Sequence, residues 1–218
     1  MNARWTVIPG GRASARGGTI ALIAFLAGCG SGPADWIQDL KSQDVTVRRA
    51  SAEQLADDAA TSPEVVAALT GATDDDDPEV RRLACRGLGR HQATGAVPKL
   101  EARLKDPAKP VRRASAFSLQ LLAPESTGYQ QEFIAGMREG DGGLLVMIKG
   151  FEPPASWAIP VLLDLMKDKR AGIRRLAIEA LAEIAPAMEG PRKAFEAARR
   201  DPDDRVRDAA SKALERKS

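Results

Sequence analysis

The sequence has 218 residues, with 32 basic and 30 acidic side chains, a net charge of +2 and 44% hydrophobic residues. This length is ample for a hydrophobic core, and the two cysteines exclude a disulfide-dense scaffold.

Residues 1–28 have the layout of a secretory leader. Arg4, Arg12 and Arg16 occur there without any acidic residue, and an apolar run over residues 19–28 follows. The run is about half the roughly 20 residues that a membrane-spanning helix needs. We therefore predict that residues 1–28 are removed, which leaves 29 basic against 30 acidic side chains and a net charge of −1. This charge argues against a nucleic-acid partner, since nucleic-acid binding usually shows as a clearly basic domain.

The end of this leader, Leu26-Ala27-Gly28-Cys29, resembles the lipobox of bacterial lipoproteins. The resemblance implies that the Cys29 thiol carries diacylglycerol and that Cys29 becomes the first residue of the exported protein. Acyl chains of this kind hold a protein stably at a membrane. Gly30 in place of Asp resembles the outer-membrane sorting pattern of some Gram-negative bacteria, and residues 29–34 would form a short tether.

A pattern of one apolar residue, two arginines and a leucine eight positions after the start recurs along the rest of the chain. The last copy, at Val206, keeps only the first arginine, Arg207. The spacings between copies are 33, 31, 62 and 33 residues, so a sixth copy should begin near residue 142. Positions 0, +3, +4 and +8 share one helical face, which predicts the second helix of a two-helix repeat. The sequence therefore predicts an all-α solenoid of about six repeats over residues 35–218. The copies begin at Val47, Val80, Val111, Ile173 and Val206, and their leucines are Leu55, Leu88, Leu119, Leu181 and Leu214.

The fourth repeat, at about residues 127–152, departs from this pattern. It lacks the arginine pair, and its second helix could start at Gly142 or at Leu144. Aromatic residues at helical spacing usually pack in a core, so we favour a repacked core over a ligand-binding notch. The aromatic residues in or just beyond this repeat are Tyr129, Phe133, Phe151 and Trp157.

The repeated pattern is similar to HEAT-like repeats, especially the short version found in phycobilisome-lyase-type proteins, over about residues 35–217. The resemblance implies a ladder in which arginines of the second helices pair with aspartates of the turns along the stack. Carried over to this chain, the ladder residues are Arg48, Arg81, Arg112, Arg174 and Arg207, with Asp75, Asp106, Asp168 and Asp201.

The second arginine of each pair recurs at one position of successive second helices, at Arg49, Arg82, Arg113 and Arg175. In a HEAT-type stack these helices line the concave face, so the four side chains are candidates for binding the acidic groups of a partner. The alternative is a solvated face with local salt bridges, which we favour because exposed charges are common and usually uninformative.

We predict no catalytic residue, metal site or cofactor. His91 is the only histidine, and we expect it in a solvated loop without a catalytic or metal-binding partner. The acidic run Asp74–Asp77 lacks the alternating ligands and the glycine of a calcium loop, so we expect it to form a turn. We expect Cys85 to be a packed, unreactive thiol.

These observations favour a monomeric, lipid-anchored scaffold that binds another protein of the cell envelope and no nucleic acid. Two alternatives stay open. One is a lyase or isomerase related to the phycobilin lyases, against which the predicted export argues. The other is a structural lipoprotein without a dedicated partner.

Overall fold

The computed structural model describes residues 32–216, which form twelve α-helices and no strand. Consecutive helices make six pairs, so the predicted all-α solenoid of two-helix repeats is confirmed. Three short 3-10 turns, Thr94–Ala96, Ile148–Gly150 and Ser156–Ala158, complete the pattern. The helices are α1 Pro33–Asp39, α2 Val45–Asp57, α3 Pro63–Ala72, α4 Pro78–Arg90, α5 Val97–Arg103, α6 Lys109–Leu122, α7 Gln130–Glu139, α8 Gly142–Met147, α9 Ile159–Leu165, α10 Ala171–Ile184, α11 Glu189–Ala198 and α12 Asp204–Glu215.

The first helix begins slightly earlier than the sequence pattern indicated. Helix α1 starts at Pro33, so the last two residues assigned to the tether are helical. The proposed leader and Cys29 lie outside the described residues.

Four of the six second helices begin at an aspartate whose carboxylate accepts hydrogen bonds from backbone N–H groups of the first turn. Asp77, for example, accepts from the N–H groups of Glu79 and Val80 at 3.0 and 3.1 Å. These N–H groups have no partner within the helix, so the capping carboxylate fixes where the helix starts. The capping residues are Asp44, Asp77, Asp141 and Asp203. Asp141 also settles the register of the fourth repeat, whose second helix starts at Gly142.

The repeated leucines form the core of the stack. The first four are completely buried, whereas Leu214 is partly exposed because no further repeat follows it among the described residues. The small residues four positions after each start of the pattern are buried as well, which lets neighbouring helices approach closely. These small residues are Ser51, Ala84, Ser115, Ala177 and Ala210.

Second helices of neighbouring repeats pack side by side, as α2 does with α4, α4 with α6, and α10 with α12. First helices of neighbouring repeats share far fewer contacts, so the second helices form the inner side of the stack. Helices α4 and α6 lie close together, and the Ser118 hydroxyl donates to the carbonyl of Cys85 at 2.7 Å. Gly89 faces Ser118 there without a side chain of its own.

In the fourth repeat, aromatic rings fill the core. Phe133 is buried and lies with its ring centroid 5.1 Å from Phe117, 5.7 Å from Tyr129 and 5.6 Å from Phe151, edge to face in each case. Trp157 stacks on Phe133 at 6.3 Å. The aromatic residues of this repeat are therefore packed against one another, as a repacked core requires.

Candidate interaction face

Three of the predicted ladder arginines bind the turn aspartate of the next repeat through two parallel hydrogen bonds. In each pair Nε donates to one carboxylate oxygen at 2.8 Å and Nη2 donates to the other. This two-bond geometry fits the planar guanidinium and makes a strong, directional link between repeats. The pairs are Arg48 with Asp75, Arg81 with Asp106, and Arg174 with Asp201.

The same guanidinium groups also fix the turn of their own repeat. Nη1 of Arg81 donates to the carbonyl oxygens of Asp75 and Asp76 at 2.8 and 2.9 Å. All five ladder arginines make the equivalent pair of bonds. Each arginine therefore satisfies turn carbonyls that the helices leave without partners.

The ladder changes at the fourth repeat and stops at the last one. Arg112 binds Glu132 at 3.1 Å because no turn aspartate stands opposite it. Among residues 32–216, the Arg207 guanidinium bonds only to two turn carbonyls. Asp168 meets no arginine of the preceding repeat, since that repeat lacks the arginine pair.

Arg170 binds Asp168 in place of an arginine from the preceding repeat, and the sequence pattern did not identify this residue. Its guanidinium binds Asp168 through two hydrogen bonds of 2.8 Å, and Nη1 donates to the carbonyl of Glu139 in the preceding repeat at 3.2 Å. Gly140 has φ of +87°, and a β-carbon there would overlap this guanidinium. The one signal in the sequence is that Arg170 stands two residues after the turn aspartate Asp168 and follows a repeat that lacks the arginine pair.

The second arginines of the pairs all have acidic partners within the chain. Arg49 lies 2.5 Å from Asp77 and Arg82 lies 2.6 Å from Glu79. The other two pairs are Arg113 with Asp141 and Arg175 with Glu179. The four arginines do not form one continuous stripe of free charge, and their role in partner binding stays a prediction.

These ion pairs and the packing of the core shift several pKa values. The hydrogen bond from Arg49 lowers the pKa of Asp77 to about 2, and that from Arg170 lowers the pKa of Asp168 to about 2. Burial raises the pKa of the Cys85 thiol to about 12. A thiol with this pKa stays protonated at neutral pH, so Cys85 is not a nucleophile.

The expectation of a solvated loop for His91 is wrong. His91 caps the end of α4 and is only 5% exposed. Nε2 lies 2.7 Å from the carbonyl of Leu55 and Nδ1 lies 3.0 Å from the Thr61 hydroxyl. Since a carbonyl only accepts, Nε2 carries the proton and His91 links the first repeat to the second.

The described residues contain no group of three or more histidine, cysteine, aspartate or glutamate side chains arranged to hold a metal ion. In the acidic run, Asp75 and Asp77 bind arginines and Asp74 binds Lys99 at 2.5 Å. None of the helices between residues 32 and 216 is both long enough and apolar enough to cross a membrane.

Open grooves lie between neighbouring helices of the described residues. One lies on the inner side between α4 and α6 and has a volume of about 300 Å³. A second, of about 550 Å³, lies between α10 and α12 and includes Arg175. A third, of about 600 Å³, lies between α1 and α3.

Comparison with known proteins identifies this architecture as HEAT repeats. The family model for HEAT repeats matches residues 33–120 and 147–215, which leaves out most of the divergent fourth repeat. No curated protein matches the sequence.

Among solved structures, the complex of CpcE and CpcF of phycocyanin lyase from Nostoc sp. PCC7120 is similar, with a TM-score of 0.57 and 21% identity over 90% of this chain and 81% of that chain. A designed armadillo repeat protein in complex with the peptide (KR)4 also has a TM-score of 0.57, with 17% identity over 85% of this chain and 99% of that chain. At these identities the likeness shows the fold alone.

Proposed function

The chain belongs to the HEAT-repeat family, and we propose that it is a scaffold that binds another protein on its inner face while a lipid on Cys29 holds it at a bacterial membrane. A HEAT-repeat stack fits a protein-interaction role because each repeat contacts only its neighbours and the array presents an extended surface. The observation that carries the proposal is the inner face itself, where second helices lie side by side and leave a shallow groove between them.

The similar designed armadillo protein supports this reading, because its structure holds a bound peptide. The partner of this chain would be a protein of the cell envelope if the leader directs export. On the inner face, Arg82, Arg86 and Arg90 line the groove between α4 and α6, whose lining includes no acidic residue. A partner that binds in this groove would therefore present acidic groups.

The short distance between Cys29 and the stack supports a position close to the membrane. Helix α1 begins at Pro33, only four residues after Cys29, and four residues span at most about 14 Å. A lipid on Cys29 would therefore keep the solenoid against the lipid surface. Gly30 favours the outer membrane if the source is Gram-negative.

The test is the intact mass and the membrane fractionation of the expressed protein, with Cys29→Ser and Cys85→Ala beside it. We expect the wild type and Cys85→Ala to lack residues 1–28, to carry added acyl mass and to sediment with membranes. Cys29→Ser should do none of these. If the full-length chain stays soluble in the cytoplasm, the anchor is wrong and export no longer argues against an enzyme.

Binding of a partner is tested separately, by crosslinking in intact cells followed by mass spectrometry. Capture of one envelope protein through residues of α2, α4 or α6 would support the scaffold. If crosslinks never form under several growth conditions, the alternative of a structural lipoprotein without a dedicated partner is favoured.

A lyase-like enzyme is the second candidate because a phycocyanin lyase complex shares the fold. Its test is the absorption spectrum of the purified protein after incubation with a linear tetrapyrrole. A bound pigment with a shifted visible band would favour the enzyme, and an unchanged spectrum would count against it.

A further inference from the structure

The groove between α4 and α6 combines an apolar floor with a rim of arginines. Ala114, Phe117 and Leu121 of α6 form the apolar side. Arg82, Arg86 and Arg90 recur every four residues on the facing side of α4, so their side chains line one helical face. No acidic side chain lines the groove.

Leu121 is the most exposed large hydrophobic side chain among the described residues, at 65%. Beside it, Phe117 is partly buried and held by its edge-to-face contact with Phe133. The apolar side of the groove therefore consists of the Phe117 ring, which Phe133 holds in place, and the exposed Leu121 side chain. Covering such a surface with another apolar side chain removes it from water and is favourable.

The positive charge of the rim is only partly neutralised. Arg82 has Glu79 beside it, but Arg86 and Arg90 share the single carboxylate of Asp57, at 3.0 and 2.9 Å. The two guanidinium groups thus carry one positive charge in excess. A carboxylate brought by a partner would find two charged donors at the mouth of the groove.

We propose that this groove binds a partner segment that places one large apolar side chain on Phe117 and Leu121 and a neighbouring carboxylate on Arg86 and Arg90. The inference rests on the proposed scaffold function and specifies the partner's chemistry at one site. The other two grooves fit this ligand less well. Acidic residues line both of them, including Glu179 and Glu183 in the one between α10 and α12.

The test selects short random peptides, displayed on phage, against the immobilised full-length chain. The affinities of the selected peptides are then measured for four variants. Leu121→Ser removes the apolar contact, and Met188→Ser is its control because Met188 is also exposed, at 51%, but lies before α11. Arg90→Glu reverses the rim charge, and Arg138→Glu is its control because both arginines lie in the last turn of a helix.

We expect the selected peptides to combine a leucine, phenylalanine or tryptophan with nearby acidic residues. Leu121→Ser and Arg90→Glu should each weaken their binding about tenfold or more, and the two controls should leave it unchanged. Peptides that are basic, that bind all four variants equally, or that are displaced by a single-stranded oligonucleotide would overturn the proposal. So would the absence of any enriched peptide.

The outcomes separate this inference from the broader function. Selected peptides that ignore the groove variants would leave a peptide-binding scaffold but reject this site. The membrane fractionation and crosslinking experiments are independent of the peptide result.

Discussion

Two glycines in helices should respond to alanine with opposite signs. Gly71 lies in α3 with nothing within 4 Å of the position that a β-carbon would take. Gly89 lies in α4, where a β-carbon would sit 2.9 Å from Cβ of Ser118 and 3.1 Å from its Cα in α6. Because Cα of Ser118 belongs to the backbone, the two helices must move apart to admit the methyl group.

The magnitudes follow from these surroundings. Alanine favours a helix over glycine by about 0.8–1 kcal/mol in the helix interior, so Gly71→Ala, near the end of α3, should raise the free energy of unfolding by about 0.5 kcal/mol. Gly89→Ala has the same intrinsic gain but also overpacks the helix interface, which costs about 1–3 kcal/mol. The net result is a loss of about 0.5–2.5 kcal/mol.

The assay is thermal unfolding followed by circular dichroism at the helix band. The two variants differ in stability by the overpacking cost of about 1–3 kcal/mol. For a chain of this size each kcal/mol shifts the melting temperature by about 2–4 °C, so their melting temperatures should differ by about 2–12 °C. A double variant with Ser118→Ala should recover part of the loss at Gly89, because the hydroxyl is one of the groups displaced. If Gly89→Ala stabilises the protein as much as Gly71→Ala, α4 and α6 are not packed this closely.

Three further predictions concern the core, the ladder and pH. Leu119→Ala should cost about 2–5 kcal/mol in urea unfolding because Leu119 is fully buried, whereas Leu121→Ala on the same helix should cost less than about 0.5 kcal/mol; equal losses would refute the assigned helix face. Arg81→Ala should destabilise the protein by about 2–3 kcal/mol, because Asp106 is only 4% exposed and its carboxylate would lose the Arg81 guanidinium. A loss of stability near zero would contradict the ladder. The pKa of Asp77 is lowered to about 2 in the folded state, so the stability that its carboxylate contributes is present above its unfolded pKa of about 3.8 and is lost as the pH falls towards 2. The melting temperature of the wild type should therefore fall between pH 3.8 and pH 2. The melting temperature of Arg49→Ala should fall less over the same range.

The sequence determined the repeat, its two-helix form and the buried leucines, because a periodic apolar face needs only local geometry to be recognised. It also placed the ladder arginines opposite the turn aspartates, although that assignment came from the family resemblance. In the structure, three ion pairs join ladder residues of neighbouring repeats: Arg48 with Asp75, Arg81 with Asp106, and Arg174 with Asp201.

Only the tertiary structure decided what depends on contacts between distant residues. Arg170 binds Asp168 of its own repeat and reaches back to the Glu139 carbonyl of the preceding repeat. His91 is buried and bonds to the carbonyl of Leu55, 36 residues earlier. Gly71 and Gly89 are alike in the sequence and differ only in what another helix places beside them. The groove between α4 and α6 likewise exists because two helices meet there, and spacing along one helix cannot show which neighbours the stack brings within reach.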